Sequence, residues 1–156
     1  MRESHVADEG TYAALALLRA LGAHPGVRQL AVNWYRIDRD PPGAPAVARH
    51  HLDDPEGWRA LDPPLLDSLI ALCADGRGSL AGIEAGGVLP ADTLWFGDAL
   101  PEGRGARSRW HRAALDATAA ADVVFLAPDD GLELPVFAIA AGRDRSCSTS
   151  PRTSTS

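Results

Sequence analysis

The sequence predicts an α/β domain with a mainly parallel sheet, in a three-layer Rossmann-like arrangement. Three observations carry that expectation. Helical and strand-like patterns alternate along the chain, as they do when parallel strands are joined by crossover helices. The strand candidates are apolar on both sides, which suits strands covered on both faces. The 156 residues suffice for one domain that buries a core of its own.

Residues 11–21 form the first predicted helix. Ala and Leu occupy every face except at Arg19, and Gly22 with Pro25 supplies the stop signal. A helix apolar all round is expected to be buried. Residues 28–37 follow as a strand, with Leu30, Val32, Trp34 and Arg36 on one side and Ala31, Asn33, Tyr35 and Ile37 on the other. The stretch 38–54 is rich in Pro and Asp and is long for a connection, which marks it as a lid or binding loop.

Asp62-Pro63-Pro64 is a helix start, with Asp as N-cap and Pro in the first turn. Leu65, Leu66, Leu69, Ile70 and Cys73 give that helix its apolar stripe, and Cys73 reads as a core residue. Residues 79–84 are a short strand candidate ending at Glu84, and residues 93–97 another that delivers Asp98 to its carboxyl end. A helix is predicted over 106–121. Residues 122–126, Asp-Val-Val-Phe-Leu, then read as a fully buried strand ending in an acidic turn.

A single domain over residues 1–141 is therefore expected, with 142–156 as a disordered tail. Eight of the last eleven residues are Ser or Thr, too little apolar surface to order a segment. Because the tail follows an apolar run at 136–141, the expectation is a fold incomplete at its carboxyl end, with the native continuation missing or out of frame.

Charge and composition narrow the chemistry. All 15 formal cations are arginine, so Schiff-base, pyridoxal-phosphate, nucleotidyl-lysine and Walker-type phosphate sites are excluded. The net charge of −6 repels polyanions, so a nucleic-acid role needs a local arginine patch. Cys73 and Cys147 form neither a disulfide framework nor a zinc quartet. Neither a signal peptide nor a membrane span is recognisable, and a cytoplasmic protein without membrane association is expected.

In an open parallel sheet, ligands meet the carboxyl ends of the strands. Asp38 and Asp40, Glu84, Asp98, and the cluster Asp129, Asp130 and Glu133 stand at such ends. Carboxylates along one edge suit a hard cation such as Mg²⁺, with Asp129 and Asp130 as its ligands, or suit proton transfer. Asp129, Asp130, Glu133 and Asp98 are thus the catalytic candidates. Arg104, Arg107, Arg109 and Arg112 crowd the start of a helix, where cations are unfavourable, and Arg107 and Arg109 are candidates for gripping a phosphate or carboxylate. Trp34 and His50, the latter as a general acid or base in the long loop, complete the substrate-binding candidates. His5, His24 and His111 read as surface residues, and adjacent His50 and His51 cannot easily share one metal. Neither a G-x-S-x-G elbow nor a G-x-G-x-x-G loop is present.

The segment 122–133, Asp-Val-Val-Phe-Leu-Ala-Pro-Asp-Asp-Gly-Leu-Glu, resembles an uncharacterised bacterial and phage protein family with a Phe-Leu-Asp-Pro-Asp-Asn-Gly-Leu-Glu signature. Tyr12, Leu17-Leu18-Arg19, Asn33-Trp34-Tyr35, Arg49-His50, Ile83-Glu84-Ala85, Gly87-Val88-Leu89-Pro90, Trp110 and Ala114-Leu115 agree with it in order. The likeness spans about residues 10 to 137. Asp129 and Glu133 match the signature, whereas Ala127 stands where its leading Asp is expected, Thr11 where a lysine is, and Asp130 where Asn is. More distantly, an apolar strand ending in an Asp-Pro motif is similar to the catalytic loop of Rossmann-type S-adenosylmethionine-dependent methyltransferases. The resemblance implies an enzyme acting on a nucleotide-like or phosphate-bearing substrate, with S-adenosylmethionine as cofactor. The same acids also fit a Mg²⁺-dependent phosphoester hydrolase or nuclease, and the departures at Ala127 and Thr11 fit a non-catalytic binding domain or a decayed enzyme.

Overall fold

A computed structural model describes residues 1–38, 49–74 and 78–128. After a 3₁₀ turn over Glu3–His5, the elements are α1 (Glu9–Gly22), β1 (Leu30–Asn33), α2 (His50–Asp53), α3 (Pro63–Cys73), α4 (Leu80–Ala85), β2 (Leu94–Phe96), α5 (Arg104–Ala117) and β3 (Val123–Leu126). The fold is mixed α/β, with a three-stranded sheet in the order β2-β1-β3 and both pairings parallel. Ala31 is the partner of Leu94 on one side and of Val124 on the other.

Local chemistry explains the helix starts. The Asp8 carboxylate caps α1 by accepting from the Thr11 N–H at 2.6 Å, and Asp62 caps α3 by accepting from Leu65 N–H at 3.0 Å. Each satisfies an amide that has no partner inside the helix. Asp62 also accepts from Arg19 Nε at 2.6 Å, which ties α3 to α1.

The main core gathers Tyr12, Leu15 and Leu18 of α1, Leu65, Leu66 and Leu69 of α3, and Leu80 and Ile83 of α4 against Val32 and Trp34. A second cluster joins Phe96 to Trp110 and Ala114 of α5, with Tyr35 packed against it. Neighbouring residues of β2 divide between the two: Trp95 packs with the first and Phe96 belongs to the second. Period-two alternation sends them to opposite faces of the sheet.

Five expectations need correction. Residues 79–84 are not a strand: Ser79 caps α4, its hydroxyl accepting from Gly82 N–H at 3.0 Å, and the buried pair Leu80 and Ile83 has helical spacing. The first helix is not buried all round, since Leu17 is 61% exposed while only the Tyr12, Leu15, Ala16 and Leu18 side is covered. The first strand stops at Asn33 because Tyr35 takes a φ of +46°, outside extended backbone. The last strand is not fully buried: it lies at the edge among the described strands, with Val124 and Leu126 about 40% exposed, at 41% and 40%. The helix predicted over 106–121 forms two residues earlier and ends at Ala117. Among the described residues no helix is long and apolar enough to cross a membrane. The domain boundary near 141 and the tail lie outside the described residues.

Candidate functional site

Parallel pairing brings the carboxyl ends of β1 and β3 side by side, and α1, running the opposite way, presents its first turn to the same edge. These parts enclose a cleft of 180 Å³. Trp34, Phe125, Ala127 and Pro128 line it from the strand ends, and His5, Asp8, Gly10 and Thr11 from the approach to α1. Trp34 is fixed twice over: its ring stacks on Trp95 with centroids 5.6 Å apart, and its indole N–H donates to Glu84 Oε1 at 2.9 Å. Glu84 therefore serves the site from a helix rather than from a strand end.

The polar wall is organised by Asp8. One carboxylate oxygen accepts from the Thr11 amide, and the other lies 3.3 Å from His5 Nδ1. The Thr11 hydroxyl donates to the His5 carbonyl at 3.1 Å. His5 is thus held by its backbone and its ring. Two non-glycine residues with positive φ flank the cleft, Ala7 at +57° and Tyr35 at +46°. Each costs about 1–3 kcal/mol, and such strain concentrates at functional sites.

The strand order supplies the decisive geometry. From β1 the chain moves first to β2 on one side and then crosses to β3 on the other. The order reverses between β1 and β3, and such a switch point is where open α/β sheets bind ligands. No known protein family, curated protein or solved structure matches this chain.

Of the described residues expected at a site, only Trp34 lines the cleft. Asp98 is exposed in the turn after β2, its carbonyl accepting from the Trp110 indole N–H at 3.0 Å. Arg107 and Arg109 are exposed on α5, and Arg107 lines a separate surface groove with Arg104, Ser108 and His111. Asp38 pairs with Arg36 at 2.9 Å. Asp98, Glu84 and Asp38 therefore scatter, and no group of three or more metal-ligating side chains forms among the described residues. Asp40, Asp129, Asp130 and Glu133, with the metal site assigned to Asp129 and Asp130, lie outside the described residues. His50 opens α2, and its side chain lies outside them too.

Sequence reasoning missed His5, Asp8 and Thr11 as a site. The available signal was an acid, Asp8, standing before the apolar run that becomes α1. His51 was missed as well. It is fully buried, stacks on Tyr12 with centroids 5.3 Å apart and packs against Trp58 at 5.6 Å. Neither ring nitrogen has a hydrogen-bond partner among the described residues, and burial pushes its pKa down. Burial also pushes the Cys73 thiol up, which makes it a poor nucleophile and fits its core role.

Proposed function

We propose that this chain is a Rossmann-like α/β protein, with helices on both faces of its sheet, that takes S-adenosylmethionine or a related nucleotide-like ligand at the β1/β3 switch point. The observation that carries the reading is the coincidence of the strand-order reversal with a cleft flanked by both strained residues. The lining favours a cationic group over a phosphate. Asp8 occupies the amino terminus of α1, where an anion would otherwise sit, and Trp34 and Phe125 offer aromatic walls to a sulfonium. At 180 Å³ the described cleft suits one moiety of such a ligand. The bound cofactor would supply an electrophilic methyl group; His5, positioned by Asp8, would take the proton released by the acceptor.

Calorimetric titration tests this. S-adenosylmethionine is expected to bind saturably, and Asp8→Asn, which keeps the cap but removes the charge, is expected to weaken it about tenfold. No heat from a folded protein would reject the reading. Heat from Mg²⁺ alone would move the assignment to the hydrolase or nuclease that Asp129 and Asp130 suggest.

A second reading, a binding domain that has lost its chemistry, is favoured by one observation: Thr11 and Ala127 line the same cleft. They are the positions where the resembled signature leads to a lysine and an acid. Thr11→Lys and Ala127→Asp should each destabilise alone by leaving a half-buried charge unpaired. Together they should recover about 1 kcal/mol relative to the sum, measured by urea unfolding. Strict additivity would mean that the two positions do not form one site.

A further inference from the structure

The arginine-rich helix presents a cationic surface separate from the cleft. Arg104, Arg107, Arg109 and Arg112 are all exposed on α5. At 100° per residue, Arg104, Arg112 and Arg109 fan over the face opposite Trp110 and Ala114, while Arg107, exposed in the first turn, lies at the angle of Ala114. None of the four forms an ion pair among the described residues; neighbouring Glu102, Asp98 and Asp116 are not engaged with them. Elsewhere in the same protein arginines are paired, Arg19 with Asp62, Arg59 with Asp67 and Arg36 with Asp38.

The placement is also costly to the helix. Gly103 caps α5 without a side-chain hydrogen bond, and the first turn holds no acid to offset the cations. A groove lined by Gly103, Arg104, Arg107, Ser108 and His111 opens beside it. Arg104, Arg109 and Arg112 have no carboxylate partner among the described residues and Arg107 donates to the Pro101 carbonyl at 3.2 Å, so α5 supplies the local arginine patch that a polyanion requires against the net charge of −6.

We propose that the outer face of α5 docks on the phosphate backbone of a nucleic acid. The array from Arg104 to Arg112 extends about 12 Å along the helix, too long for one small anion and suited to successive phosphates. Guanidinium groups match phosphate oxygens in pairs. Trp110 is buried with its N–H engaged, so no aromatic platform reads bases, and the contact is sequence-independent. An anionic membrane is disfavoured because the arginine face carries no aromatic anchor.

Fluorescence anisotropy with a labelled oligodeoxynucleotide of about 20 residues at about 50 mM salt tests the proposal. Saturable binding that weakens with salt is expected. Arg104→Gln with Arg112→Gln should weaken it at least about tenfold and make the logarithmic salt slope shallower by about 1.4, the value for two lost single-strand phosphate contacts. Arg28→Gln, at a side chain 87% exposed and remote in sequence from α5, should leave binding unchanged. The double variant should melt no lower than the parent, because Arg104 is a cation in the first turn, where the dipole opposes it, and Arg112 is exposed without an ion pair among the described residues. Absence of saturable binding, binding indifferent to the double substitution, or equal displacement by inorganic phosphate or by phosphatidylserine vesicles at matched phosphate concentration would each overturn it.

Discussion

Asp62→Ala should lower the unfolding free energy by about 2–3 kcal/mol. Two structural duties meet in this residue. Its Oδ1 caps α3 at Leu65, its Oδ2 accepts from Arg19 Nε, and Arg19 in turn donates from Nη1 to the Val88 carbonyl at 2.7 Å. Loss of the cap accounts for about 1 kcal/mol. The remainder comes from leaving Arg19, only 32% exposed, without its carboxylate, a contribution reduced by solvent screening. Asp62→Asn keeps the capping oxygen and should lose only about half as much. Urea unfolding of the two variants separates the contributions: equal losses would mean that the cap adds nothing, and an Asn variant as stable as the parent that the ion pair adds nothing.

His51→Phe is expected to flatten the stability profile on the acid side of neutrality. In the folded chain burial holds the His51 pKa below its ordinary value of 6.5. Glu9, Asp8 and Asp53 oppose that shift and Arg49 adds to it. The unfolded chain therefore binds the proton first. Stability is complete above about pH 6.5 and falls as pH drops below it, by up to about 1.4 kcal/mol per unit, until the folded state also protonates. Phenylalanine removes the titrating group and the two unpartnered nitrogens, at some packing cost for its larger ring. Near pH 7.5 the variant should lie within about 1 kcal/mol of the parent, and near pH 5.5 it should be the more stable of the two. Chemical unfolding at both pH values checks this; parallel profiles would show that His51 is not the group being titrated.

The legible parts of the sequence were those decided within one helical turn. Asp62-Pro63-Pro64 announced α3 because a cap and its amide lie three residues apart, and the Leu65, Leu66 and Leu69 stripe identified its buried side. Residues 79–84 misled because six residues fit either period, and the Ser79 cap decided the matter. The apolar run at 122–126 was recognised as a strand but not as an edge among the described strands, since apolarity records the company a strand keeps on one face and says nothing of its place in the order. His50 and His51 were compared only for metal reach, so the aromatic pocket of Tyr12 and Trp58 around His51 went unseen.

By itself the sequence determined the mixed α/β class, the burial of β1 on both faces, the α3 cap and the arginine content of α5. Tertiary structure alone decided where these meet. Trp34 shares a cleft with His5, Thr11 and Phe125 because two parallel strands distant in the chain pair on either side of a reversal in strand order. No local spacing encodes that choice: it depends on which strand each crossover reaches, and so on packing between residues about a hundred positions apart.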